Sequence, residues 1–381
     1  MASPIIARYR FHLRQRPVIL VGLTVMAIAF FLGVTGLSRA HQAQRQALGN
    51  RWFNRGVADL NAKRFDAAVT DFRAALLYSP DEYSYQLNLA EALIGEGHRA
   101  QAWAYLMNLR DREPDDGLVS LELARIAVQR GETDDAVRYY HNAVYSVWPP
   151  DQEARRRDAR LELIELLLRN GANAQAQGEL IALAESVGPD PAQQERIGEL
   201  FLRAGDYGHA QGAFSTVLKA EEHNPGALAG AGYAAFELRR FPIARQYLQA
   251  AVRANANDTA SEERLKTTQL VLDMDPFRRH LPVNERDKIV VQAFQTSGER
   301  LKDCKMPAAT SANAAAQPSL SDEWTRLKPQ ITEQGLRRNP DLVERTMDLV
   351  FRIERNTNVI CGTPTGKNLA LLLIANMHEG S

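Results

Sequence analysis

Between residues 49 and 257 the chain alternates short amphipathic segments in pairs, and the second segment of each pair carries an alanine followed four positions later by a larger side chain. The pairs are Ala68 and Phe72, Ala102 and Leu106, Ala136 and Tyr140, Ala176 and Leu180, Ala210 and Phe214, and Ala244 and Leu248. The alanines are spaced by 34, 34, 40, 34 and 34 residues. A fixed period of this size is the mark of a repeat architecture. The first segments, among them "YQLNLAEALIGEG", "SLELARIAVQRG" and "QERIGELFLRAG", hold apolar or small residues at helical spacing. Gly97, Gly131, Gly171 and Gly205 close four of them, where a helix end commonly needs a left-handed residue. The predicted unit is helix, tight turn, helix. Alanine at the crossing lets the two backbones approach, and the side chain one turn on fills the space beside it.

The pattern resembles the tetratricopeptide repeat family, whose 34-residue signature runs Trp-x-x-Leu-Gly-x-x-Tyr, then Ala-x-x-x-Phe, then Pro. The first copy matches at Trp52, Gly56, Ala68, Phe72, Ala75 and Pro80, and departs at Arg55 and Asp59. The resemblance implies an all-α chain in which six copies over 49–257 stack into a right-handed superhelical solenoid with a concave inner face. It implies that the first helix of each pair lines that face. The inward positions of the first four copies are Phe53, Val57, Leu60, Leu87, Glu91, Ile94, Leu121, Arg125, Val128, Leu161 and Glu165. Those of the last two are Glu195, Glu199, Tyr233 and Phe236, so the face turns from apolar to acidic along the chain. Some repeat proteins of this family grip a C-terminal carboxylate with Lys and Asn in one repeat and Lys and Arg in a later one. The matching positions here are Phe53, Val57, Leu118 and Glu122, and only Asn88 fits. The expected partner is therefore an extended or helical protein or peptide segment with apolar anchors and some positive charge.

The step of 40 marks an insertion near 148–157, where Pro149 and Pro150 forbid helix continuation. A protruding loop is expected there, with Arg155, Arg156 and Arg157 either binding an acidic partner or opening the next helix in solvent.

Ahead of the repeats, residues 17–37, "PVILVGLTVMAIAFFLGVTGL", contain no charge. A helix of that length reaches roughly 31 Å, enough to cross the hydrocarbon layer of a membrane. Arg8, Arg10, Arg14 and Arg16 precede it, against Arg39 and Arg45 after it. The positive-inside bias places residues 1–16 in the cytoplasm and the repeats outside, with 17–37 as an uncleaved anchor in the inner membrane. Cleavage near Ala40, which would release a secreted form, is the alternative. Residues 38–48 form a juxtamembrane linker that either extends the membrane helix or pairs with a second copy.

Beyond 257 the phase is lost. Residues 258–304 read as a helical extension with Asn284 as an N-cap, 305–321 as a flexible linker of Ala, Ser, Thr and Pro, and 322–381 as a small C-terminal module of three helices. Its simplest role is to cover the apolar edge of the last repeat. Thr363 or Thr365 caps the final helix. Cys304 and Cys361 are the only cysteines, and an even pair in an oxidising compartment points to a disulfide.

With 46 basic and 46 acidic residues the formal charge is zero, and no basic excess calls for nucleic acid. The eight histidines show no metal-ligand spacing, and "GTPTGK" at 362–367 lacks the spacing of a phosphate loop. No catalytic, cofactor or metal residue emerges. The expected function is a non-enzymatic, membrane-tethered scaffold in envelope assembly, secretion or complex maturation. The alternative is an accessory or regulatory subunit whose C-terminal module carries an activity of its own, with the repeats recruiting substrate.

Overall fold

The computed structural model describes residues 4–304 and 319–378. Within them every regular element is helical; the sole β-type contact among the described residues is an isolated parallel bridge between Asp116 and Val147. The first helix, α1, runs unbroken from Pro4 to Asn61. It joins the predicted anchor, the juxtamembrane segment and the first helix of the first repeat in one rod, so 38–48 extends the apolar helix. Its partner is α2 (Phe65–Tyr78), and the next pairs are α3 (Tyr83–Glu96) with α4 (Arg99–Arg112) and α5 (Gly117–Arg130) with α6 (Thr133–Tyr145). There follow α7 (Glu153–Arg169), α8 (Asn173–Val187), α9 (Pro191–Arg203), α10 (Tyr207–Ala220), α11 (Pro225–Glu237) and α12 (Phe241–Ala254). The chain divides into two compact units, residues 1–166 and 167–381, with the division inside α7.

The alanine positions behave as the repeat requires: Ala68, Ala102, Ala136, Ala176, Ala210 and Ala244 are fully buried, and the side chains four residues on are buried with them. Gly97, Gly131, Gly171 and Gly205 all have positive φ. Where glycine is absent, Lys63 and Arg239 take the left-handed conformation at the same kind of turn.

The insertion differs from a protruding loop. Residues 146–149 run extended, Pro150–Gln152 make one turn of 3-10 helix, and α7 starts early enough to place all three arginines on its first turns. The reason is Trp148. Its indole is buried and donates Nε1–H to the carbonyl of Ala143 at 2.6 Å, which folds the extra residues back onto the body. Arg156 then donates Nε–H to the carbonyl of Val144 at 2.8 Å, tying α7 to the end of α6.

In the second unit α13 (Thr259–Met274) packs against α11 and α12, and α14 (Val283–Asp303) follows it. The N-cap of α14 is Pro282, one residue before its first helical position, so Asn284 lies inside the helix and not at its cap. The predicted linker 305–321 lies outside the described residues except for 319–321. The C-terminal module has four helices, α15 (Leu320–Leu327), α16 (Glu333–Arg338), α17 (Asp341–Cys361) and α18 (Gly366–Met377). Only α16 is additional to the three expected. Thr365 occupies the N-cap of α18 without a side-chain hydrogen bond. One apolar cluster joins Phe241 of α12 and Val271 and Met274 of α13 to Phe294, Leu336, Val350, Leu371 and Ile374. The module thus covers the edge that the last repeat pair leaves open.

The same module is closed by a disulfide between Cys304, at the end of α14, and Cys361, the last residue of α17, 57 positions apart. Arg300 runs beside it, donating to the carbonyl of Gly362 at 2.6 Å. Closing a loop of this size restricts the unfolded chain by about 4 kcal/mol in the chain-entropy account. Replacing both cysteines by serine is expected to lower the melting temperature of the second unit in calorimetry. Unreduced protein exported from the cytoplasm should take up no alkylating reagent, and two reactive thiols would exclude the bond.

Candidate functional site

The inner positions of α3, α5 and the start of α7 meet around a cavity of about 370 Å³ lined by Glu91, Leu121, Glu122, Arg125, Arg155 and Asp158. All lie in the first unit. The register of α5 is set at both ends. Asp116 accepts from the backbone N–H groups of Leu118 and Val119 at its N-cap, and Gly131 closes its C-terminus at φ 75°. Asp116 also accepts from the Tyr83 hydroxyl, which binds the start of α3 to the start of α5.

Arg125 is the hub. It donates Nη1–H to Glu122 at 2.6 Å, and Nη2–H and Nε–H to the two carboxylate oxygens of Glu162 at 2.6 and 3.1 Å. The Tyr140 hydroxyl donates to Glu162 at 2.7 Å. Burial alone would raise Glu162, but the hydrogen bonds from Arg125 and Tyr140 outweigh it and leave the carboxyl below its ordinary value. The fork-shaped pair makes Glu162 a structural anion.

Glu122 and Glu91 are different. Burial pushes Glu122 up by more than Arg125 draws it down, and burial together with the charge of Glu122 pushes Glu91 up. Glu91 pairs with Arg155, 3.9 Å away and more than half exposed, and the charges of Arg155 and Arg125 only partly offset the upward push. The lining carries three carboxylates and two guanidiniums, and with Glu162 counted beside Arg125 the acidic groups outnumber the basic by two. Such a cavity favours a positively charged group entering it.

Of the inward residues read from the sequence, the structure gathers Glu91, Leu121 and Arg125 at this cavity. Leu87 and Leu121 are buried, and Phe53 stacks on Tyr85 at 4.9 Å and lies tilted against Phe72 at 5.7 Å. Phe53 thereby joins α1 to α2 and α3. Val57, Leu60, Ile94, Val128, Leu161 and Glu165 are half-buried. In the second unit Glu195 accepts from the Asn224 amide at 3.2 Å, Glu199 is exposed, Tyr233 lies under the Arg264 guanidinium at 4.4 Å, and Phe236 packs edge-on against Phe241 at 5.6 Å. Asn88, the one residue suited to a carboxylate clamp, donates to the Ser84 carbonyl of its own helix at 2.8 Å. Sequence reasoning missed Glu122, Asp158 and Glu162 as parts of one cluster. The repeat partner of Arg125 one step of 40 onward is Glu165, whereas the residue it grips is Glu162, one turn earlier.

Stacked helix hairpins of this repeat, with a charged cavity between them, are a protein-interaction scaffold. The chain belongs to the tetratricopeptide repeat family, whose profile matches residues 53–102, 87–151, 121–191 and 196–259, more than half of its length. No curated protein matches it. Among solved structures it is similar to YrrB, described as a TPR protein with an unusual peptide-binding site, at 15% identity over 50% of this chain and 95% of that one, with a TM-score of 0.41. It is similar to PilF of Pseudomonas aeruginosa at 14% identity over 58% and 97%, TM-score 0.40. A third is PilW, described as a widely conserved type IV pilus biogenesis factor, at 16% identity over 58% and 98%, TM-score 0.38. These likenesses are of fold alone.

The raised carboxyl of Glu91 has a stability consequence with a definite sign. A carboxyl whose folded pKa exceeds its unfolded value contributes stability that is complete below the unfolded pKa and is lost as pH rises through the folded one. Glu91→Gln, neutral throughout, should therefore raise the melting temperature at neutral pH, with the gain vanishing as pH falls through the carboxylate range. A variant less stable than the parent at pH 7 would contradict this account of the cavity.

Proposed function

We propose that the chain is a single-pass membrane scaffold with its N-terminus in the cytoplasm and its repeats on the far side, where the cavity between α3, α5 and α7 holds a positively charged side chain of a partner protein. Its service is in envelope assembly, secretion or the maturation of a complex. The observation that carries the partner half of this reading is the pair Glu91 and Glu122, two carboxyls kept in a cavity where burial penalises their charge. Groups retained against stability are a signature of function.

The membrane half rests on α1. The described part of its apolar run is exposed almost throughout, with Phe30, Leu32 and Leu37 at 74%, 63% and 74%. An 18-residue window there has a mean hydropathy of 2.0 with none of it buried. The two hydroxyls in the run are satisfied within the helix: Thr24 donates to the Val21 carbonyl and Thr35 to that of Phe31, both at 2.8 Å. A helix that hides its polar groups and exposes its apolar ones suits lipid. The excess of arginine before the run supports the orientation.

The test uses the full-length chain in its native membrane, with a photo-crosslinking residue at Leu161 and an alkaline phosphatase reporter after residue 381. The reporter should be active, and crosslinking should trap one partner protein. Glu91→Lys with Asp158→Lys should abolish the adduct while circular dichroism stays helical. A silent reporter sinks the orientation, and an adduct unchanged by the charge reversals sinks the cavity.

A further inference from the structure

The residues that break the 34-residue phase build a second cavity in the first unit. It measures about 720 Å³ and shares no lining residue with the first. One wall is the extended segment that the sequence adds: Val147 and Trp148, with Leu118 of α5 beside them. Trp148 reaches its place because residue 117 is glycine; a Cβ there would collide with the indole ring. The isolated bridge to Asp116 pins the neighbouring Val147, whose side chain is nevertheless 82% exposed. An aliphatic side chain held rigidly in solvent beside a concave apolar surface is what a docking surface offers.

The opposite rim is the α4–α5 turn, which contributes Glu113, Asp115 and Asp116, and no basic residue lines the cavity. Asp116 is occupied by the N-cap and by Tyr83. Glu113 and Asp115 are exposed and form no ion pair among the described residues. Gln152, also in the lining, keeps a buried Oε1 with no hydrogen-bond donor. An anion entering here would face three carboxylates, whereas a cation meets two that are unpaired. A wholly apolar ligand would leave the Gln152 acceptor unanswered.

We infer that this cavity is a second docking site, for a partner's peptide segment that presents an aliphatic side chain beside lysine or arginine. The aliphatic group packs on Val147, Leu118 and Trp148, the cation lies against Glu113 and Asp115, and a backbone N–H of the segment donates to Gln152. The volume lies within the range of about 300–1,000 Å³ usual for ligand sites. Nothing in this site depends on the first cavity or on the anchor.

The test is binding of two fluorescein-labelled octapeptides, Gly-Ser-Leu-Arg-Leu-Arg-Ser-Gly and its counterpart with glutamate for arginine, to the full-length chain in phosphatidylcholine nanodiscs, with empty nanodiscs subtracted. Anisotropy should show saturable binding of the basic probe alone. Glu113→Lys with Asp115→Lys should weaken it about tenfold, since attraction is replaced by repulsion at two sites. Glu113→Gln with Asp115→Asn should weaken it a few-fold, and Glu91→Lys with Asp158→Lys should leave it unchanged. The assignment is overturned if neither probe binds, if both bind alike, or if the rim variants bind the basic probe as the parent does. It is equally overturned if the parent is a dimer in sedimentation and the rim reversal makes it a monomer, which would give the cavity to a second copy of the chain.

Discussion

Close approach of the two helices in each pair is the constraint on which the rest of the structure depends. Six alanines with no solvent exposure sit at the crossings, and Phe72, Leu106, Tyr140, Leu180, Phe214 and Leu248 fill the space one turn on. Small residues on the facing helix complete the fit in three pairs. A Cβ on Gly56 would meet the ring of Phe72, one on Gly198 or Gly230 that of Phe214, and one on Gly232 the side chain of Leu248. Each such side chain contributes about 1.5–3 kcal/mol on burial. No single hairpin gathers enough of these to offset the ordering of its backbone, so each pair needs a neighbour. The last pair finds its neighbour in α13 and the C-terminal module, which explains why one apolar cluster runs from Phe241 to Ile374.

This constraint is also why so much was legible in the sequence. Alanine at a crossing cannot be exchanged freely, and its recurrence every 34 residues gave the pairs, their phase and the point where the phase slips. The insertion was legible as an event but not as a shape, because its shape depends on where Trp148 buries its ring, a long-range choice with no local period. The six-residue α16 is too short for helical periodicity to register, and Asn284 resembled a cap because composition cannot place a boundary to one residue. Of the inward positions that the family resemblance implies, Glu91, Leu121 and Arg125 line the first cavity. That set also includes Phe53, whose ring packs on α2 and α3, and Leu87, which is buried. Periodicity gives the face of a helix, and only packing divides that face into what is covered and what is left open.

Charge follows the same division between the whole chain and its parts. Over the whole chain the formal net charge is zero, which calls for no nucleic acid. Locally, both cavities described above are acidic, and by different means. In the first, Arg125 is saturated by Glu122 and Glu162, so its positive charge is spent inside the protein and Glu91 is left with a distant, exposed partner. In the second there is no cation to neutralise the rim. Arginine is also turned to construction, as when Arg156 holds the end of α6.

Under the proposed anchoring, the continuity of α1 bears on how the scaffold presents its repeats. Between Leu37, where the apolar run ends, and Gly49, where the first repeat begins, the chain contains neither glycine nor proline and remains helical. That stretch of about 12 residues is roughly 18 Å long. It is fastened at its far end, where Arg45 donates to the Leu77 carbonyl at 3.1 Å and Asn50 accepts from the Tyr85 hydroxyl at 2.7 Å. A flexible tether would let the repeats sample many heights and directions, and a bound segment would gain only local concentration. A helical one fixes both the height and the rotational phase of the first pair relative to the anchor. In the anchored reading, the faces that carry Glu91 and Val147 would then be presented to a partner in a set direction, so the helix contributes to specificity without touching what is bound.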